Sequence, residues 1–410
     1  MSVKSLQENT AVLEPVAPAG TPMIPRVTGR EFVEKFFSRT IPAIVTDATA
    51  DWGMSGRWSP EYLTSLIGDK IVMVSTSATG KFSYDTAEKG AGEIYSDEPM
   101  KFAEAARRIA SGDGGRQLYL MQTSIPKHFP ELMKQVRVPQ WVPHVATQIN
   151  LWFGRSSVTP LHYDATNNFF AQQYGEKQWT IFSPSDTVNV YPYPVDSKMP
   201  HLSAVDLDNP DLSAHPNFRL ARPIRFTLKA GELLYLPAFW WHHVSSPHVS
   251  TSVSIWWMPD LPQYIQTPNG PRKLYRQYQA DRLSVLKKTV LASNRLSFST
   301  AAALVQSAGR KWAACLLALA ACDEYIGTLC NKHNLPRTDG CNLHQLAGEL
   351  RETLGKLASA GVPANTLPPV GALEAIITLA GRVARGNDEE FSTEEVGSII
   401  RLASTLEQKP

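Results

Sequence analysis

Between Gln117 and Trp257 the chain offers about eight short runs of β-branched and aromatic residues, with no long helical stretch among them. The runs are Gln117–Met121, Gln148–Phe153, Asn168–Tyr174, Gln178–Phe182, Ile224–Lys229, Leu233–Leu236, His242–Ser245 and Thr251–Trp257, separated by Gly, Pro and Ser. Such a series predicts a closed or two-sheet β structure, and a double-stranded β-helix of the jelly-roll type accommodates it. The Pro- and Asp-rich stretch 191–223 then becomes an insertion between strands, and loops of that length are often functional.

The flanks differ. Residues 1–25 are rich in Pro, Ala, Ser and Thr and read as a loose arm. Arg30–Phe37 reads as a short amphipathic helix capped by Thr28, and Pro42–Thr46 as a buried strand. Another helix opens behind Ser59 with Pro60 in its first turn, and Ile71–Ser75 reads as a strand. Beyond Pro262 the composition shifts, and from about Arg272 Ala, Leu, Lys, Arg and Glu recur at helical spacing. Four to five helices are expected from 272 to 408, with Ser392 and Glu395 forming a capping box. The expected organisation is an arm over 1–25, a mainly β catalytic domain over 26–262 and an added α-helical domain over 263–410.

Composition limits the function classes. Of 410 residues 43% are hydrophobic and the net charge is +2, which excludes a largely disordered chain. Forty basic against thirty-eight acidic residues give no overall field for nucleic acid or an anionic membrane, so neither partner is expected. No segment reaches the roughly 20 apolar residues that span a bilayer; Trp312–Cys322 is shorter and reads as a buried helix. The first residues lack the pattern of a secretory signal, and four cysteines are too few for a disulfide framework, so a cytoplasmic location is expected.

The chemistry concentrates in Val158-Thr-Pro-Leu-His-Tyr-Asp164. On a strand His162 and Asp164 would point to the same face. An imidazole and a carboxylate converging there need one more histidine to complete the 2-His-1-carboxylate set that holds Fe(II) with positions left open. The partner would come from Leu236-Pro-Ala-Phe-Trp-Trp-His-His-Val244. The spacing alone has two readings, because a lone His162 is equally a hydrogen-bonded core residue.

Thr159-Pro-Leu-His-Tyr-Asp, Asn168-Phe-Phe-Ala-Gln, Tyr191-Pro-Tyr-Pro-Val, Val205-Asp-Leu-Asp-Asn-Pro-Asp and Pro237-Ala-Phe-Trp-Trp-His-His occur in an order that resembles the JmjC/cupin-like oxygenases dependent on Fe(II) and 2-oxoglutarate. Among these the motifs are most similar to those of the asparaginyl hydroxylases that act on hypoxia-inducible factor. The resemblance covers about 27–260. It implies a JmjC-type cupin barrel, with His162, Asp164 and His242 as catalytic iron ligands and His243 in a packing role. It implies 2-oxoglutarate as cosubstrate, gripped by Lys177, with Thr159 and Tyr119 as hydroxyl donors and Asn168 near its keto-acid end, and O2 as oxidant. Phe170, Trp179, Trp241 and Trp256 would line a dry site, or serve only as core.

The substrate side departs from that pattern. His201-Leu202 stand where the asparaginyl hydroxylases carry an amide-reading Arg-Gln pair, Met121 replaces a Gln and Ser254 an Asn. A leucine cannot hydrogen-bond an amide, so a different target is expected. The leading expectation is hydroxylation of an amino-acid side chain in a peptide or protein rather than lysine demethylation. The alternatives are oxidation of a free amino acid or small metabolite, and a catalytically silent binding protein. The C-terminal helices would serve a homodimer or dock a substrate. Cys330, His333, Cys341 and His344 form two Cys-x2-His pairs, readable as a zinc site or as buried helix cysteines beside exposed histidines.

Overall fold

The computed structural model describes residues 23–48, 58–82, 95–112, 115–142, 148–195, 197–259, 311–336, 352–368 and 392–407, and single positions 267, 269, 302, 303 and 306. The arm expected over 1–25 and much of the region 263–410, Cys341 and His344 included, fall outside the described residues.

Among the described residues the strands are β1 (Arg26–Val27), β2 (Ala43–Val45), β3 (Ile71–Ser77), β4 (Ser96–Lys101), β5 (Gln117–Ser124), β6 (Gln148–Gly154), β7 (Ser157–Tyr163), β8 (Asn167–Tyr174), β9 (Glu176–Phe182), β10 (Ile224–Lys229), β11 (Leu233–Leu236), β12 (Trp241–Ser246) and β13 (Ser250–Trp257). The helices used below are α1 (Gly29–Lys35), α2 (Pro60–Ile67), α3 (Phe102–Ser111), α4 (Ile125–His128), α5 (Pro130–Met133), α6 (Lys311–Lys332) and α7 (Thr393–Glu407). A nine-stranded sheet runs β1-β2-β11-β8-β13-β6-β5-β3-β4, and a four-stranded sheet runs β10-β9-β12-β7. This is the mainly β core with added α expected from the strand runs.

The two sheets face each other. Ile44, Phe170, Leu234 and Leu236 of the large sheet meet Trp179, Ile181, Leu228 and Val244 of the small one in a compact interior cluster. The pleat sends alternate residues to opposite faces. Phe170 therefore points inward while Phe169 points out, where its ring lies 5.8 Å from Phe32 of α1. That outer cluster includes Leu63 and Ile67 of α2 and Phe102 and Ile109 of α3. On the small sheet, Tyr163, Phe182 and Trp241 face outward into a third cluster that contains Leu317, Ile326, Ile399 and Leu406 of α6 and α7. Each buried side chain of this size contributes about 1.5–3 kcal/mol. The small sheet is thus packed firmly from behind while its inner face carries the polar residues of the site.

Local signals hold where side chains satisfy backbone. Ser59 Oγ accepts from Tyr62 N at 3.2 Å at the start of α2. Ser392 and Glu395 close the capping box of α7 with bonds of 2.9 and 3.1 Å. At α1 Thr28 occupies the cap position, with no side-chain bond to the helix. Trp312–Cys322 lies within α6, and Cys315, Cys322 and Cys330 are buried. No described helix is long and apolar enough to cross a membrane.

Three strands lie outside the expected runs: β1, which is two residues long, β4 and β7. Both β7 and β4 contain proline, Pro160 and Pro99, and β-propensity disfavours each. Both are edge strands, where a missing N–H is tolerated.

Candidate active site

The three metal-ligand candidates come from the ends of β7 and β12, neighbours in the small sheet. His162 stands directly opposite His242 in that ladder. Asp164 follows β7, and the turn entering β12 is tied to it: Phe239 N donates to Asp164 O at 2.8 Å, and Ala238 N donates to Asn167 Oδ1 at 3.0 Å. Phe239 takes φ 70° in that turn. The chain is therefore pinned on both sides of the point where the histidine must arrive.

One ligand atom from each of His162, Asp164 and His242 lies within 4.8 Å of the others. His162 Nε2 is 4.0 Å from Asp164 Oδ1, and His242 Nε2 is 3.8 Å from Asp164 Oδ2. Nitrogen and oxygen ligands about 2.1 Å from one ion lie about 3–4 Å apart, so these separations suit a shared metal. Both imidazoles are oriented alike. His162 Nδ1 meets Pro160 O at 2.7 Å and His242 Nδ1 meets Trp240 O at 3.0 Å. A carbonyl only accepts, so Nδ1 carries the proton and the Nε2 lone pair faces the other ligands. Burial and the neighbouring His162 hold His242 well below the usual histidine range, which keeps it neutral as a ligand must be. His243 points away and lies 3.5 Å from Asp208 Oδ1.

A bulge shapes the approach to these ligands. β12 pairs with β7 as His242↔His162 and then Val244↔Thr159, so β7 carries an extra residue near Pro160. Strict alternation would put Thr159 and His162 on opposite faces; with the bulge both line the same cavity.

That cavity measures about 110 Å³. At its deep end Lys177 of β9 is 1% exposed. Its Nζ donates to Tyr119 Oη at 3.1 Å and to Ser246 Oγ at 2.8 Å. Burial raises the Tyr119 pKa well above the usual tyrosine value, and the Thr159 side chain opposes that rise. No carboxylate among the described residues pairs with Lys177, and burial pulls its pKa down to about 7. A buried ammonium without a counter-charge is costly. The Asn168 Oδ1 and Trp179 Nε1 atoms, in the same cavity wall, are buried without hydrogen-bond partners among the described residues. Together these groups fit a small dicarboxylate whose far end meets Lys177 and whose near end lies by the metal ligands.

Ser246 was not expected from the sequence. It lies four residues beyond His242 on β12, on the same inward face as Val244, and that periodicity is the signal that could have found it. Phe82 and Tyr95, outside the strand runs, also line the cavity. So do His201 and Leu202 of the 191–223 insertion, which extends the open edge of β7 through Tyr163 N→His201 O at 3.1 Å and Ser203 N→Leu161 O at 2.9 Å. Trp241 faces outward and Ser254 bonds Trp152 Nε1 at 2.8 Å, so neither of those expected positions forms the same lining as Trp179.

A family model described as a cupin-like domain matches residues 29–262. The Xenopus tropicalis protein named lysine-specific demethylase 8 is 30% identical over 223 residues, covering 53% of this chain and 48% of the relative. Its Danio rerio namesake is 30% identical over 252 residues, covering 58% and 59%. The human bifunctional peptidase and (3S)-lysyl hydroxylase JMJD7 is 27% identical over 247 residues, covering 53% and 77%. The chain spans about half the length of the two demethylases.

Proposed function

The chain belongs to the cupin-like domain family, of the JmjC type, and on that premise we propose that it is an Fe(II)- and 2-oxoglutarate-dependent oxygenase that hydroxylates an amino-acid side chain in a peptide or protein. The observation that carries the reading is the pairing, in one cavity, of the His162/Asp164/His242 cluster with a buried Lys177 that has no anionic partner among the described residues. A silent binding protein has no need of both. The relatives' names support a protein substrate, since they include a lysine demethylase and a lysyl hydroxylase.

His162, Asp164 and His242 would hold the iron through two neutral nitrogens and one carboxylate oxygen, and Lys177, Tyr119, Thr159 and Ser246 would hold the distal carboxylate of 2-oxoglutarate. When bound, the pair supplies oxidation of a C–H bond to C–OH by O2, with 2-oxoglutarate leaving as succinate and CO2. The protein's part is placement. Pro160 O and Trp240 O fix the imidazole tautomers, Lys177 sets how deep the cosubstrate sits, and Trp179 and Phe170 exclude water. Hydroxylation at an N-methyl group would release formaldehyde, whereas hydroxylation of a side-chain carbon leaves a stable added oxygen. Mass spectrometry of candidate peptides should show the stable oxygen, dependent on 2-oxoglutarate; methyl loss with formaldehyde would replace hydroxylation by demethylation. The domain limits 26–262 and 263–410, the homodimer and a cytoplasmic setting belong to the same reading. Sedimentation velocity checks the dimer.

A further inference from the structure

A second opening adjoins the catalytic cavity. β3 pairs with β5 only from Ser75↔Tyr119 to Ser77↔Gln117. Beyond Tyr119 the two strands part, because β5 is bulged: its pairing with β6 passes from Leu120↔Phe153 to Thr123↔Leu151, three steps against two. Gln122, in the bulge, takes φ 43°, a left-handed backbone that costs a non-glycine residue about 1 kcal/mol or more and tends to persist at functional sites. The parted strands bound a cleft of about 400 Å³. Ile71 and Met73 on β3 project from one strand face and are 63% and 53% exposed, side by side at the cleft. Asp97 of β4 and Thr123, Lys127 and His128 on the β5–α4 side supply polar walls. Tyr95, Met121 and Gln122 line both the cleft and the cavity, so the two adjoin across these residues.

We propose that this cleft seats an extended, apolar segment of a peptide or protein substrate and leads its target side chain past Tyr95, Met121 and Gln122 into the catalytic cavity. The inference deepens the oxygenase reading and rests on it. An extended chain is the occupant that fits. Ile71 and Met73 repeat at two residues, about 6.6 Å, the repeat of same-face side chains on an extended peptide. Strand flanks and polar walls suit a peptide backbone. A free amino acid would fill the cavity and leave these apolar side chains in water.

The test uses the full chain, immobilised, and a pooled library of synthetic peptides about 12 residues long, roughly 40 Å when extended. Peptides retained by wild type are counted by mass spectrometry against Ile71→Glu/Met73→Glu and against the conservative Met73→Leu. Exposed side chains are replaced, so the fold should persist, and succinate formed from 2-oxoglutarate without substrate reports on it separately. The expected result is apolar peptides retained by wild type, loss of at least about tenfold in the double Glu variant, about 1.4 kcal/mol, and retention within about twofold in Met73→Leu. Equal retention by all three proteins, or none by wild type, overturns the cleft while unchanged succinate formation leaves the oxygenase reading intact. A wild-type dimer that the Glu variant dissolves would assign the cleft to a second copy and also overturn it. Absence of succinate from every protein removes the oxygenase reading, and the substrate path with it.

Discussion

The deep end of the cavity and its mouth are built on different principles. Lys177, Tyr119 and Ser246 stand within strands β9, β5 and β12 and are each 3% exposed or less, with their polar atoms locked to one another. The mouth is made by irregular chain: the β5 bulge with Met121 and Gln122, and the 191–223 insertion with His201 and Leu202. A charge in the interior must be held by fixed partners, so the deep end tolerates little change. Loops over a rigid frame can change without unfolding it. Of the departures from the amide-reading pattern, Met121, His201 and Leu202 fall at the mouth, whereas Ser254 is buried on β13.

Four experiments probe the division, in decreasing order of expected effect. Asp164→Ala or His242→Ala should remove tight Fe(II) binding and lower succinate formation by about 10³-fold or more, read by metal titration and turnover. Persistence of both would break the account at its base. Lys177→Met should weaken 2-oxoglutarate binding by about 100-fold, the loss of a buried charge-assisted pair, while leaving metal binding within about twofold. The apo variant should melt at the same temperature as wild type or higher, because an ammonium with no carboxylate partner has been removed. A lower melting point would show that Lys177 is structural.

The third experiment follows from the depressed Lys177 pKa of about 7. Binding an anion favours the charged ammonium and so takes up a proton wherever the free protein has lost it. Affinity for 2-oxoglutarate should therefore fall as pH rises above 7, by as much as about tenfold per unit, and calorimetry should show this slope missing in Lys177→Met. The sign for stability is opposite: the unfolded lysine, with its ordinary pKa near 10.4, binds more protons from about pH 7 to 10, so this residue's contribution to apo stability rises over that window. The smallest effects belong to Ser246→Ala, about fivefold weaker 2-oxoglutarate binding from one lost hydrogen bond, and Leu202→Gln, which should leave 2-oxoglutarate affinity within about twofold while altering which substrates are oxidised. A large change in cosubstrate affinity from Leu202→Gln would erase the distinction between the two ends.

The sequence exposed the regular parts of this molecule best. Strand runs such as Ile224–Lys229 and Leu233–Leu236 match β10 and β11 without adjustment, because each is a short β-rich run bounded by turn residues. His162 and Asp164 stood out by their two-residue spacing, but the choice of His242 over His243 and the role of Lys177 came from resemblance, since no local pattern brings residues eighty positions apart together. The two bulges that shape the site have no signature in the sequence. Placing Thr159 beside His162 in one wall contradicts alternation until the extra residue at Pro160 is known. The cleft between β3 and β5 likewise depends on one inserted residue at Met121–Gln122. β7 and β4 escape a sequence reading because proline argues against a strand, and β1 because it is two residues long; only sheet order reveals that all three lie at edges.

The most direct test is optical. Wild-type protein mixed anaerobically with Fe(II) and 2-oxoglutarate should develop a weak charge-transfer band near about 500 nm. The band should saturate at one equivalent of each and be absent from both Asp164→Ala and Lys177→Met at the same concentrations. No band in metal-loaded wild type, or one that survives the loss of Asp164, would contradict a shared iron and 2-oxoglutarate site in this cavity.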